Sequence, residues 1–265
     1  MVSLTACASP LAKAETPQQA LSAAAQRSSQ LKSAKFDFDG HVKLSFPAAM
    51  GQMLGQNGSA AGTMAVDMSG NGEAQFPDRY HAVINVKLGG FSVASETIVA
   101  NGKSYVKNPM TGQWEVSQSG SMADQLGQPD PLSYAQFLKN VKAIKDLGDT
   151  TINGTAVHHY QLTPDKEKLL AGIDASKSPQ AAAAMRQVLN NGTLLVEVWF
   201  GKDDHLVRRV STNMDYTLDL NQLLGSLGSP SGSVPAGSSL HAVGSLVINL
   251  HDFDAPVTIT IPSVG

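Results

Sequence analysis

The sequence is poor in cysteine, in charge and in long apolar runs. Its single cysteine excludes an internal disulfide and any metal site built from several cysteines. Charged residues make up only 15% of the chain and the net charge is −3, with lysine and arginine scattered, so the clustered positive surface that binds nucleic acid is missing. No run approaches the ~20 apolar residues that a membrane-spanning helix needs. The body of the chain is therefore expected to be soluble and to have no nucleic-acid partner.

The one cysteine lies in a short motif near the N-terminus. Leu4-Thr5-Ala6-Cys7 matches the bacterial lipobox, in which a branched apolar residue and two small residues precede the cysteine that is lipidated. Residues 1–15 are interpreted as a lipoprotein signal remnant and a polar tether, which would hold the protein on the extracytoplasmic face of the cell membrane. Only six residues precede Cys7, fewer than a signal peptide needs, so an unmodified thiol near the N-terminus is the alternative.

Apolar residues alternate with polar ones along most of the remaining chain. Phe36, Phe38, Val42 and Leu44 share one parity, as in an antiparallel strand with one face in water. Similar patterns predict further strands near residues 64–68, 80–88, 91–100, 104–107, 114–116, 143–151, 156–162, 194–200, 206–214, 239–250 and 256–261. Asn-Gly pairs, which favour tight hairpins, occur at 57–58, 71–72, 101–102, 153–154 and 191–192.

Four helices are predicted from their N-terminal residues. Thr16 is a good N-cap, Pro17 suits the first helical position, and Gln19 completes a capping box. The other three helix starts are Asp130-Pro131, Thr163-Pro164 and Ser178-Pro179.

This order of elements predicts an α+β fold with one domain over residues 16–265. About ten antiparallel strands with one apolar face cannot remain a flat exposed sheet. We therefore expect a curved antiparallel β-sheet, a half-open barrel, with the helices covering its concave face. Two segments that are rich in small residues, 47–61 with Met50 and Met53 and 225–239 with Gly, Ser and Pro, are expected to be loops.

No catalytic motif is present. The sequence has neither the G-x-S-x-G elbow nor an H-E-x-x-H helix, and the adjacent His158 and His159 would point to opposite faces of a strand. Asp37 and Asp39 are expected to be exposed to solvent on a strand. Asp203 and Asp204 are expected in a tight turn. The chain is predicted not to be an enzyme and to carry no metal or cofactor.

The amount of apolar side chain directed at the concave face predicts a cavity for a lipid chain. Ordinary core packing is the alternative for each of these residues. The predicted lining, assigned by parity and by helical spacing, is Phe36, Phe38, Val42, Leu44, Met64, Val66, Met68, Ile84, Val86, Phe137, Leu138, Leu170 and Met185.

Four segments resemble the LppX/LprG-type lipoproteins of actinobacteria and the wider LolA-like superfamily. Val196–Arg209 is similar to a V-x-V-W…D-x-x-L-V-R-R hairpin, and His251–Ile259 to a closing F-x-x-P-V strand. Asp149–Tyr160 and Tyr105–Trp114 are similar to two further strand pairs. The resemblance extends over most of residues 16–263.

The resemblance implies a half-barrel that binds a lipid or acylated ligand and moves it through the cell envelope without catalysis. We expect a monomer whose partners are that ligand and the membrane that holds Cys7. One alternative is a sensor or scaffold lipoprotein of the same fold that transports no ligand. A second is an envelope hydrolase, which would require a buried Ser–His or carboxylate pair.

Overall fold

The computed structural model describes residues 15–47, 62–116, 138, 141–172, 186–221 and 237–264. Within these ranges, the chain forms two helices that we number, a helical segment at residues 186–191, and a series of strands. The helices are α1 (Pro17–Ser28) and α2 (Lys166–Gly172). The strands are β1 (Ser33–Ser45), β2 (Thr63–Gln75), β3 (Arg79–Leu88), β4 (Phe91–Ala100), β5 (Lys103–Lys107), β6 (Trp114–Val116), β7 (Val141–Ile152), β8 (Thr155–Pro164), β9 (Gly192–Gly201), β10 (Val207–Asp219) and β11 (Ser239–His251).

All eleven strands form one antiparallel sheet in the order β6-β5-β4-β3-β2-β1-β11-β10-β9-β8-β7. The sheet is open, because β6 and β7 are its two edges and do not pair with each other. The first and last strands in the sequence lie side by side at its centre. This large open antiparallel sheet with few helices confirms the predicted fold class.

The sheet has a main apolar face and an opposite, mostly polar face, which we call the outer face. In β1, Phe36 and Phe38 are buried while Asp37 and Asp39 are exposed. We define the apolar face as the side that carries Phe36 and Phe38 together with the residues opposite them in register. Helix α1 packs on this face through its small buried residues, Ala20, Ala24 and Ala25 among them. The alternation of apolar and polar residues therefore predicted the buried face of β1 correctly.

Helix α1 begins where the sequence predicts. The Thr16 hydroxyl accepts a hydrogen bond from the Gln19 backbone N–H at 3.3 Å, and the Gln19 side chain accepts one from the Thr16 backbone N–H at 3.0 Å. The reciprocal pair satisfies donors that a helix N-terminus otherwise leaves unbonded.

Two glycines in β2 make room for the phenylalanines of β1. Gly72 lies opposite Phe36 and Gly70 lies opposite Phe38 in the antiparallel register. A Cβ atom added to Gly72 would be 2.5 Å from Phe36 Cζ, and one added to Gly70 would be 2.6 Å from Phe38 Cζ. Each phenyl ring therefore lies directly over the backbone of the neighbouring strand. Asn71-Gly72, predicted as a turn, lies within β2 for this reason.

The other Asn-Gly predictions have different outcomes. Asn101-Gly102 and Asn153-Gly154 form tight hairpin turns with positive φ at both residues, as a type I′ turn requires. Asn191-Gly192 lies where a helical segment meets β9 and is not a hairpin turn. Asn57-Gly58 lies outside the described residues.

One predicted helix start is displaced. Thr163 and Pro164 belong to the end of β8, and α2 begins at Lys166. The Asp165 carboxylate accepts a hydrogen bond from the Lys168 backbone N–H at 3.2 Å, so Asp165 caps this helix. The helices predicted from Asp130 and from Ser178 start outside the described residues, although residues 186–191 are helical.

The segment that follows β11 corrects another prediction. Residues 256–261 were predicted as a closing strand, but they form no strand. Val257 and Ile259 instead pack on the outer face against Ile98, Ala100 and Tyr105. The alternation of apolar residues correctly predicted that one side of this segment is buried. It did not predict a strand correctly, because the proline at 256 has no N–H to donate to a neighbouring strand.

The start of this segment is fastened to the end of α1 by Asp254. Its carboxylate accepts a hydrogen bond from the Lys32 backbone N–H at 2.8 Å and lies 3.3 Å from the Arg27 guanidinium. The hydrogen bond from Lys32, reinforced by Arg27, holds the pKa of Asp254 below its ordinary value.

Stability is therefore expected to fall in acid through Asp254. A carboxyl group whose pKa is lower in the folded state stabilises the fold above its unfolded-state pKa of about 3.9, and this stabilisation is lost as the pH falls through the folded-state pKa. Asp254→Asn should lower the unfolding free energy at neutral pH and flatten its dependence on pH below about 5. Urea denaturation across that range measures both effects. Asp39→Asn, at an exposed position of β1, is the control; an equal flattening there would contradict the assignment.

Candidate functional site

Nine of the predicted lining residues lie on the apolar face of three neighbouring strands. Register places Val42 opposite Val66 and Leu44 opposite Met64 between β1 and β2. Between β2 and β3 it places Met68 opposite Val86. The nine residues are Phe36, Phe38, Val42, Leu44, Met64, Val66, Met68, Ile84 and Val86. Parity assigned their common face correctly; their role in lining a lipid site stays a prediction.

These residues differ in how completely they are buried. Phe36 and Phe38 are 1% and 3% exposed and belong to the main core, against which Met68 and Ile84 also pack. This end of the apolar face is filled by protein side chains, so Phe36 and Phe38 act as core residues here. The core-packing alternative holds for them.

The opposite end of the face is less completely packed. Leu44 packs against a second small cluster formed by Leu218, Leu220 and Leu240. Val42, Met64, Val66 and Val86 are only half-buried and belong to neither cluster of the described residues. We name these four residues the apolar gap. The gap offers an alkyl chain dispersion contacts and the removal of apolar surface from water, which are the interactions that such a chain can use.

The remaining predicted residues are more scattered. Leu138 is 4% exposed and packs in the main core. It also lines a half-open cleft of about 400 Å3 between α1 and the start of β7, together with Leu21, Ala25 and Val141. Leu170, on α2, is half-buried. Phe137, Met185 and Cys7 lie outside the described residues.

The site prediction missed the contribution of the second half of the sheet. Val198, Val210 and Ile248 follow one another in register across β9, β10 and β11 and are buried on the apolar face. Tyr160 of β8 lies beside Val198 and stacks on Phe200, with ring centroids 5.2 Å apart. The signal was available, since these strands show the same alternation as β1. The sequence does not reveal that β1 pairs with β11 at the centre of the sheet. This pairing extends the apolar face to β8, β9 and β10.

The environment of this face is apolar enough to change acid–base behaviour. Burial raises the pKa of the Tyr216 phenol, because the charged form would lose its hydration. Burial is also the main cause that raises the pKa of Tyr160, and Asp146 adds to it. Both phenols therefore stay neutral at physiological pH.

In the part of the chain that the structure describes, charged side chains meet in sets of two or three. Glu96 accepts a hydrogen bond from Lys107 Nζ at 2.8 Å and lies 3.0 Å from His81 Nε2, and these contacts lower its pKa. Each of the seven histidines has a carboxylate oxygen within 4.0 Å. In the ranges that the structure describes, no three His, Cys, Asp or Glu residues come together as a metal ion would require.

His158 and His159 point in different directions, as their positions on a strand predict. His158 lies 2.6 Å from Asp149 and near the Phe200 ring. His159 stacks on Trp199 at 4.1 Å and lies 3.0 Å from Glu197. The two imidazoles therefore do not share one ligand. None of the described helices is long and apolar enough to span a bilayer.

Comparison with known proteins finds that this chain resembles several solved structures. No protein-family model matches the sequence, and no curated protein does. LppX, a lipoprotein of Mycobacterium tuberculosis, is among the structures that this chain resembles. The TM-score is 0.44 at 15% identity, over 92% of this chain and 97% of LppX.

Two other structures have similar coverage. LprF from Mycobacterium bovis matches with a TM-score of 0.43 and 19% identity, over 94% of this chain and 97% of LprF. A LolA superfamily protein from Nitrosomonas europaea matches with a TM-score of 0.30 and 10% identity, over 93% and 96% of the two chains. The predicted resemblance to LppX/LprG-type and LolA-like proteins is therefore confirmed as a resemblance to solved structures.

Proposed function

We propose that this chain is a lipid-anchored protein of the bacterial cell envelope that binds a lipid or acylated ligand on its apolar face, for carriage or transfer, without catalysis. The observation that carries the proposal is the apolar gap. Four neighbouring apolar side chains, Val42, Met64, Val66 and Val86, stay half-buried between two clusters of buried residues. A folded protein normally buries such a surface against its own side chains, so a ligand with an alkyl chain is a fitting occupant.

The polar groups agree with a binding function and not with catalysis. The histidines and carboxylates are distributed as pairs along the sheet, and no charged residue is among the four of the apolar gap. A chain with this gap needs neither a nucleophile nor a cofactor to hold an acyl group. Lipidation at Cys7, in the predicted lipobox, would keep the protein at the extracytoplasmic face of the membrane.

A lipid should therefore co-purify with the protein, and Val66→Trp should remove it. The indole would fill the apolar gap, and overpacking of this size should lower occupancy by about tenfold. The measurement is native mass spectrometry together with lipid extraction, on protein purified from a bacterial membrane background. Urea denaturation checks that the variant is folded.

The matched control is Ala65→Trp. Ala65 is the neighbour of Val66 in β2, is exposed, and points to the outer face. This variant should keep its lipid. Loss of lipid in both variants would point to a general effect of tryptophan in β2. A wild-type protein that folds but is empty would contradict the proposal and support a sensor or scaffold lipoprotein instead.

A further inference from the structure

The hairpin between β3 and β4 carries an exposed aromatic side chain. Phe91 is 80% exposed, and its neighbours Val93 and Leu88 are 51% and 40% exposed. Gly89 and Gly90 form the turn between the two strands. We name Leu88, Phe91 and Val93 the hairpin tip. Three large apolar side chains thus meet water at one end of the sheet.

The three apolar side chains all lie on one side of the hairpin. Leu88 pairs with Phe91 across the hairpin and with Val66 of β2, which places the tip on the apolar face. Val93 pairs with Val86 in the same way. The tip is therefore continuous with the apolar gap.

The other side of the hairpin is polar. Lys87 pairs with Ser92, and both are exposed on the outer face. A segment with an apolar side and a lysine on its opposite side can lie at a membrane interface, because the apolar side enters the acyl region while the ammonium group stays in water.

We propose that the hairpin tip inserts into the surface of a lipid bilayer and joins the apolar gap to the membrane. As a route for the ligand, this rests on the proposed function; as a membrane contact, it rests on the tip alone. An acyl chain that leaves the gap along Val66 and Leu88 meets Phe91 next and would pass from apolar protein surface into apolar lipid.

The size and shape of the tip favour a bilayer over a protein partner. A buried aromatic side chain covers roughly 150–250 Å2, so three side chains bury a few hundred Å2. A specific protein interface needs about 800 Å2 from each partner. Phe91 is exposed beside a two-residue turn, and a fluid lipid phase needs no complementary pocket to receive it. A small apolar contact gives weak, reversible membrane binding by itself, and a lipid anchor at Cys7 would add the second of two membrane signals.

The test is co-sedimentation of the full 265-residue chain, with Cys7 unmodified, on vesicles of phosphatidylethanolamine and phosphatidylglycerol. The wild-type chain should bind, and Phe91→Ser should lower the partition coefficient by about tenfold or more. Leu147→Ser is the matched control, because Leu147 is 37% exposed on β7, the far edge strand of the sheet. It should bind like the wild type. In addition, Phe91→Trp should show a blue-shifted emission on vesicles that brominated lipids quench.

Any of three vesicle results would overturn the proposal. They are no vesicle binding by the wild type, equal binding by Phe91→Ser, and an equal loss in Leu147→Ser. Loss of a dimer in Phe91→Ser, measured by sedimentation, would assign the tip to a protein contact and would overturn it as well. Native mass spectrometry separates this inference from the proposed function. Bound lipid without vesicle binding refutes only the tip, and vesicle binding by an empty protein refutes only the lipid site.

Discussion

Gly72→Val is expected to destabilise the protein by about 3 kcal/mol, the upper part of the usual range for overpacked cores. The added side chain would have its Cβ 2.5 Å from Phe36 Cζ, and it would also contact the His81 carbonyl oxygen of β3. The phenyl ring is 1% exposed and has no free space to move into, and the carbonyl belongs to a paired strand. The backbone of β2 must therefore shift. Urea denaturation, analysed for the unfolding free energy, measures the loss.

The control for this substitution is Gly90→Val. A Cβ atom at Gly90 meets nothing within 4 Å, so the change in stability should stay within about 0.5 kcal/mol. If Gly72→Val and Gly90→Val lower the unfolding free energy equally, the effect would come from replacing any glycine of the β-hairpins. If neither destabilises, the close contact between Phe36 and β2 is wrong.

Phe36→Ala should cost about 3–5 kcal/mol, the range for deleting a buried aromatic ring. The ring lies in the main core between β2 and β11, where Gly72 and Leu250 are its cross-strand neighbours. Gly72 has no side chain to relax into the cavity, so the site can collapse only partly. A loss at the upper end of the range follows from this pairing with glycine.

Phe91→Ala provides the comparison on the same face. Phe91 is 80% exposed, so its removal should change the unfolding free energy by no more than about 0.5 kcal/mol. Comparing Phe36→Ala with Phe91→Ala therefore distinguishes the packed end of the apolar face from its exposed end. Similar losses at both positions would show that the hairpin tip is packed in solution and would weaken the membrane inference.

Local patterns in the sequence predict much of this fold. The alternation around Phe36 and Phe38 identifies β1 and its buried side, because side chains of a strand alternate between faces. The capping box at Thr16 and Gln19 identifies the start of α1, since those hydrogen bonds are local. About ten strands were predicted, and the described residues form eleven.

The predictions that failed depend on contacts distant in sequence. Asn71-Gly72 has the composition of a turn, but its glycine is needed under the ring of Phe36, which no local pattern reveals. Residues 256–261 alternate like a strand, yet they form no ladder and pack on Ile98; the one bridge of this segment, a parallel one, joins Val264 to Trp114 of β6. Likewise, parity could place Val42 and Val66 on one face, but it could not show that they fall between two packed clusters.

The position of β1 beside β11 has a consequence for how the chain folds. Lys35 and His251 pair across this seam although they are 216 positions apart. On either side of the seam, the strands follow one another in sequence order, so most of their hairpins close short loops and can form early. A chain delivered from its N-terminus, by a ribosome or through an export channel, exposes one edge of β1 until β11 arrives. This edge is where a nascent chain would aggregate or recruit a chaperone.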